Sequence, residues 1–361
     1  MRRCAVNYYF TFFALVTSIC SVLVATPAAA TKELVEIHRI VTVGDVHGDA
    51  ENFLKVLRLA DVVEEGTGGV VDVLTNPPQW KFSQAPNASV TSWTTLVQMG
   101  DLVDRGEQDF ESLNIAMALQ EQTQNSLTSD RVILLIGNHE LLNIQGHYHY
   151  VNKRNYGGFI SRPLRMEAMN ADGAFGKYII DNFRTAYLDE NTLFVHAGIE
   201  ADMLLPDLNS LNSEVREALR KRDFRHAYLR SNGPLWTRKM ISDSMMGDCD
   251  EVNKILQRFN VSRIVVGHTP QDSGQIEQYC NKRVIAADVG MSRWMYNNVA
   301  ALEMVFFKYL DTDLQQISTE FIIRELREGV SAFSMTSDGR NDGEQLSPKS
   351  SFIVDDDNGD L

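Results

Sequence analysis

Cysteine is scarce in this chain, four in 361 residues, which excludes a miniprotein built on a disulfide framework. Nine prolines and 23 glycines are too few for collagen-like or low-complexity sequence. Positive charge is also short: Lys and Arg number 34 against 48 for Asp and Glu, a formal net charge of −14. So acidic a surface repels phosphate backbones, which argues against nucleic acid as a partner. Beyond the first thirty residues no apolar run is long enough to span a bilayer, and no internal repeat is visible. The remainder is ordinary globular composition, 44% hydrophobic and 23% charged, with enough chain to bury one large core or two smaller ones.

The first thirty residues read as an address. Arg2 and Arg3 precede an apolar stretch over 8–26, and Pro27-Ala28-Ala29-Ala30 follows. A basic start, an apolar middle and a small-residue exit predict a signal peptide over 1–30, cleaved after Ala30. The expected location is the secretory pathway, secreted or luminal, with no membrane association after cleavage; the alternative is an uncleaved N-terminal anchor. Cleavage removes Cys4 and Cys20 and leaves Cys249 and Cys280. An oxidising compartment makes that pair a candidate disulfide, worth roughly 3–4 kcal/mol in the chain-entropy description, with two separate thiols as the alternative. Asn87-Ala88-Ser89 and Asn260-Val261-Ser262 are sequons, which would make the product a glycoprotein on a eukaryotic secretory route.

Five short β-branched runs, 39–43, 94–99, 132–136, 192–195 and 263–266, end in the same manner. Each is an apolar strand core that stops at a glycine turn or directly at a polar side chain. Residues 50–60 and 111–122 carry helical apolar periodicity between them. Strand–helix alternation predicts an α/β fold, in which sites gather at the carboxyl ends of strands. Residues 64–92 read as a loop insertion with one short strand at most, and 146–182 as a second insertion, helical towards its end. Further strands are expected over 283–287 and 299–307. The chain turns polar from Glu328, so 328–361 is expected to be an acidic, disordered tail behind a domain over 31–327.

The strand ends carry Gly44-Asp45-Val46-His47-Gly48-Asp49, then Gly100-Asp101-Leu102-Val103-Asp104-Arg105-Gly106, Gly137-Asn138-His139-Glu140, Val195-His196-Ala197-Gly198 and Gly267-His268-Thr269. Any one of these alone reads as a cap or turn. Five in series, with carboxylate, imidazole and amide donors and no thiolate, read as a site for divalent Mn, Fe or Zn. Asp49 reads as the cap of the helix that follows, and His147-Tyr148-His149 as loop rather than ligand.

These five blocks resemble the signature of the calcineurin-like metallophosphoesterases, phosphoprotein phosphatase branch. The chain is most similar there to the Shewanella-like protein phosphatases, with Ile136 where the classical Ser/Thr enzymes have an arginine. Gly233-Pro234-Leu235-Trp236-Thr237-Arg238 and Asp288-Val289-Gly290-Met291-Ser292 carry the same likeness. His147 and His149 depart from the Gly-Asp-x-Arg-Tyr usual in that subfamily.

The resemblance implies a single-domain, four-layer αββα sandwich of two mixed sheets. It further implies a phosphomonoesterase that directs a metal-activated hydroxide at phosphorus. Asp45 and His47 would hold one metal ion, Asp101 would bridge two, and Asn138, His196 and His268 would complete the second site. His139 would protonate the leaving oxygen, Asp104 would orient His139, and Arg105 and Arg238 would clamp the phosphoryl oxygens. A phosphorylated protein or peptide is the implied substrate, with phosphotyrosine and phosphoserine or phosphothreonine both open.

The purple acid phosphatases fit less well, since Asp104 stands where they place a tyrosine. A diadenosine-polyphosphate hydrolase is the alternative enzyme of the same superfamily. A non-catalytic scaffold is the alternative of another class, and it expects a ligand to be missing, which none is.

Overall fold

A computed structural model describes residues 32–205, 207–329 and 333–335. In chain order the first half holds β1 (Lys32–Val43), α1 (Ala50–Leu59), β2 (Thr91–Gln98), α2 (Asp109–Gln124), β3 (Arg131–Leu134) and α3 (Asn138–Gln145). Helices α4 (Arg162–Met169) and α5 (Ala174–Asn182) precede β4 (Ala186–Asp189) and β5 (Thr192–Val195). Then come α6 (Leu208–Lys221), α7 (Lys239–Met245), α8 (Asp250–Phe259), β6 (Arg263–Val266), β7 (Glu277–Tyr279), β8 (Val284–Ala286), β9 (Ala300–Asp311), β10 (Gln316–Arg327) and β11 (Phe333–Met335).

Two mixed sheets form. The first has the order β11-β10-β9-β1-β2-β3 and the second β4-β5-β6-β8-β7. In the first, β1 pairs parallel to β2 and antiparallel to β9; in the second, β5, β6 and β8 run parallel. Four of the five β-branched runs become the interior strands β1, β2, β5 and β6, whose faces are covered on both sides, while the run over 132–136 becomes the edge strand β3. Ile40, Val41, Val43, Val97, Phe194, Val195, Val265 and Val266 are fully buried and belong to one continuous core. Helix α1 docks through Phe53, Val56 and Leu57, and Asp49 caps it by accepting from the Asn52 amide at 3.1 Å. The expected single α/β domain is what the chain forms.

The insertion over 64–92 has no strand of its own among the described residues, and its last two residues begin β2. Only an isolated bridge, Val63 to Trp80, is present, and Gln122 of α2 straps the segment by accepting from the Trp80 amide at 2.7 Å. The second insertion does end in helices, α4 and α5. Two features run against expectation. The β9–β10 hairpin is twelve residues on each side, and β10 carries so many charged and polar residues that its alternation is weak. Of its charges, Arg324 pairs with the buried Glu303 of β9, which also bonds Arg39 at 2.6 Å, and Arg327 pairs with Glu325 at 2.5 Å. The expected tail also begins differently, because Phe333–Met335 pairs with β10 as an edge strand. A composition argument misses this strand because backbone pairing to a strand already in place needs little apolar surface. The segment over 1–30 expected to be a signal peptide, and the tail from 336 onward, lie outside the described residues.

Cys249 and Cys280 are joined by a disulfide with the Cα atoms 5.6 Å apart, tying the start of α8 to the end of β7. Replacing both by serine is expected to lower unfolding stability by about 3 kcal/mol, read as a shift in the urea midpoint. No change there would make the bridge energetically idle. Both sequon asparagines, Asn87 and Asn260, are exposed. No described helix is long and apolar enough to cross a membrane.

Candidate metal centre

The strand-end loops are stitched to one another. The amides of Val46 and His47 donate to the Asp101 carbonyl at 3.0 and 2.9 Å, and Gly48 donates to Leu102 at 2.9 Å. His47, Asp101, Asp104, Arg105 and His268 all adopt left-handed backbone, with φ between 47° and 73°. Each such non-glycine residue costs of order 1 kcal/mol and persists because its surroundings over-determine it. Gly137 is required by close approach, since a Cβ there would lie 2.1 Å from Asp101 Oδ1.

Asp101 is the hub. Its Oδ2 lies 3.9 Å from His47 Nε2, 3.9 Å from His139 Nε2 and 3.4 Å from His196 Nε2. Among the described residues, two groups of potential ligand atoms share it: His47, Asp101 and His139, and Asp101, His196 and His268. Asp45 Oδ2 is 4.0 Å from His47 Nε2, and both its oxygens accept from the His268 amide. Asn138 Oδ1 lies 3.1 Å from His196 Nε2. All six expected ligand residues thus converge and are buried.

Backbone carbonyls select one nitrogen of each imidazole. His47 Nδ1 lies 3.2 Å from the Val103 carbonyl, His196 Nδ1 2.7 Å from that of Met99, and His268 Nε2 3.1 Å from that of Trp236. A carbonyl only accepts, so those nitrogens carry hydrogen and the opposite ones can face a cation.

The centre is short of positive charge. Burial raises Asp45 well above the usual carboxylate range, and the charges of Asp288 and Asp101 push it the same way. Burial together with Asp101 lifts Glu140 to about 7, and burial lifts Asp288 to about 6. Burial would raise Asp101 too, but His196 and His139 outweigh it and hold it well below its ordinary value. Burial also keeps His47 neutral, down to about 3, and lowers His268, on which His196 and Arg238 press further. On His139 and His196 the negative charge of Asp101 overcomes burial and raises the pKa. Crowded acids, neutral imidazoles and no thiolate fit hard or borderline divalent cations.

His139 makes a further contact, Nδ1 to Asp104 Oδ2 at 2.7 Å. Asp104 Oδ1 accepts from Asn143 at 2.9 Å and from Arg165 at 2.8 Å. Burial would raise Asp104, but the His139 hydrogen bond and charge, with Arg165, hold it low. Arg165 was not expected at the site. It is fully buried on α4, donates to Asn143 and Asp109, and so fixes the carboxylate that fixes His139. Arg165→Met is expected to cost about 3–5 kcal/mol, because it leaves two buried carboxylates without their cation; urea unfolding would read it. Glu140 is a second unforeseen member. It accepts from the amides of Asp101, Leu102 and Gly137, each at 2.8 Å, and so locks two strand-end loops together.

Arg105 stacks on Tyr150 at 5.3 Å, and its Nε is buried with no hydrogen-bond partner, leaving a donor open. Arg238 is exposed and forms no ion pair among the described residues. Asp49 is held by Arg293 at 2.9 Å, away from any ligand group. Asp288 accepts from the Gly290 amide at 2.9 Å, and its charge is among those that press on Asp45. His147 and His149 join no ligand group among the described residues.

The family model described as calcineurin-like phosphoesterase matches residues 38–272. Shewanella-like protein phosphatase 1 of Plasmodium berghei (strain Anka) is 28% identical over 265 residues, covering 70% of this chain and 67% of that protein. Shewanella-like protein phosphatase 2 of Arabidopsis thaliana is 26% identical over 307 residues, covering 71% and 72%. The solved structure of a cold-active protein-tyrosine phosphatase of a psychrophile Shewanella sp. superposes with a TM-score of 0.58. It is 24% identical and covers 80% of this chain and 82% of its own, which establishes the shared fold.

Proposed function

Belonging as it does to the calcineurin-like phosphoesterases, the chain is a metal-dependent hydrolase of phosphoric esters, and we propose that its substrates are phosphorylated proteins or peptides. The relatives named as protein phosphatases support that substrate class, and the convergence of both potential ligand groups on Asp101 carries the site assignment. In this reading Asp45, His47 and Asp101 hold one divalent ion, and Asp101, Asn138, His196 and His268 hold the other. When bound, such a pair supplies Lewis acidity towards phosphoryl oxygens and lowers the pKa of water. Mn, Fe and Zn all suit these donors.

The chain's own residues do the rest. His139 donates Nδ1–H to Asp104 and acts as the general acid in its doubly protonated form, which, against burial, the charges of Asp101 and Asp104 favour; its Nε2 proton goes to the departing oxygen. Asp104 orients the ring and is itself fixed by Asn143 and Arg165. Arg105, with its unpaired Nε, and Arg238 bind the phosphoryl oxygens as charge redistributes among them. The Cys249–Cys280 disulfide, half-buried beside the edge strand of the second sheet, supports a place in an oxidising compartment, hence the secretory reading with a cleaved leader.

The test is phosphate release by residues 31–361 with Mn²⁺, from matched phosphotyrosyl and phosphoseryl peptides and from a dinucleoside polyphosphate, each with a chelator control. Chelator-sensitive turnover of a peptide is expected, and the ratio of the two peptides reports the preferred side chain. Turnover of the nucleotide alone would reassign the substrate.

A further inference from the structure

Beside the metal centre lies a cavity of about 380 Å³. Its lining includes His147, Tyr148, His149, Lys153, Tyr156 and Arg162, and no carboxylate. On a chain of net charge −14 that is unusual, for cations elsewhere have acids to hand: Lys81 pairs with Asp61, Lys177 with Asp181 and Lys239 with Asp243. Lys153 and Arg162 form no ion pair among the described residues. They stand exposed on either side of a tyrosine- and histidine-lined hollow.

The hollow is wired to the catalytic imidazole. The ring of Tyr150 lies 5.0 Å from that of His139, and the ring of His149 lies 4.2 Å from Tyr150. Tyr148 donates its hydroxyl to the Asn143 carbonyl at 3.2 Å, on the same helix as His139. The segment is held in place by the Arg105 amide donating to the Tyr150 carbonyl at 2.9 Å and by Asn155 donating to Glu107 at 2.8 Å. Two ring-to-ring steps therefore separate His139 from the cavity wall. An extended peptide advances about 3.3 Å per residue, so a side chain two or three residues from the phosphorylated one reaches the cavity.

We propose that this cavity binds an aspartate or glutamate of the substrate two or three residues from its phosphorylated residue, with Lys153 and Arg162 as the charge partners. The proposal rests on the phosphoprotein reading above. The net negative charge of the chain opposes such a peptide elsewhere, so the cavity sets the register in which it is accepted.

The experiment compares two fluorescein-labelled phosphopeptides, one with glutamates flanking at two and three residues and one with glutamines, on the wild-type chain and on Lys153→Gln/Arg162→Gln. Binding is followed by anisotropy and turnover by phosphate release, with a small aryl phosphate as control. The wild type is expected to prefer the glutamate peptide about fivefold in Kd and KM at low salt, less at high salt, with kcat unchanged. The double variant is expected to lose the preference while its aryl phosphate turnover stays the same. Equal affinity for both peptides, or a preference that survives the double substitution, overturns the cavity assignment. Absence of peptide turnover alongside aryl phosphate turnover strikes instead at the phosphoprotein reading, while anisotropy still decides the cavity.

Discussion

Asp101→Asn is expected to lower turnover on the order of 10³-fold and to strip metal from the protein. Asp101 is the one side chain common to both groups of potential ligands, with three imidazole nitrogens within 3.9 Å of its Oδ2. Asparagine preserves its shape and one oxygen but removes the charge that two cations would share. The same substitution relieves Asp45 and Asp288, both pushed up by the negative charge of Asp101. Against burial, however, His196 and His139 hold Asp101 itself well below its ordinary value, so its charge stabilises the fold and the metal-free variant is expected to melt below the wild type while metal content also falls. Elemental analysis of dialysed protein and a thermal melt separate these effects. Retention of two metal equivalents by the variant would remove Asp101 from the bridging role.

His139→Asn is the second large effect, and its size should depend on the leaving group. A general acid contributes roughly 10²–10⁴-fold when the departing oxygen needs a proton. An alkyl phosphate, whose alcohol leaves poorly, is expected to slow by about 10³-fold. A nitrophenyl phosphate, whose phenolate leaves unaided, should slow by about tenfold or less. Metal content should stay at the wild-type level, since in this assignment Asp45, His47, Asp101, Asn138, His196 and His268 supply the ligands without His139. Equal slowing of both substrates would mean that His139 works through the metal site and not through proton transfer.

The blocks that hold the candidate ligands were legible in the chain because each sits at the end of a short β-branched run, and strand ends in an α/β fold gather at one side; which residue of each block takes which role came only from the likeness to the calcineurin-like metallophosphoesterases. Local periodicity likewise located β5, β6 and the start of α1 to the residue. The β9–β10 hairpin was legible only in its first strand, because β10 is stabilised by pairing and by the buried Glu303 rather than by an apolar face. Arg165 gave no local signal at all. It lies 61 residues beyond Asp104 in an insertion, and only the docking of α4 brings its guanidinium to that carboxylate. Asn143 had a faint one, four residues after His139 on the same helical face.

The chemistry of this protein was thus written locally. Which side chains can take a cation, and that they stand at strand ends, follows from residue type and from the spacing of glycine turns. What only the tertiary structure decided is the support around that chemistry. It set which nitrogen of each imidazole is free, through the carbonyls of Val103, Met99 and Trp236. It put Glu140 and Arg165 beneath the catalytic loops, and it closed an acid-free cavity beside His139. The physical reason is range: a turn or a strand end is fixed by a few neighbouring residues, whereas a buried hydrogen bond or ion pair joins atoms from segments whose meeting depends on the packing of the whole core.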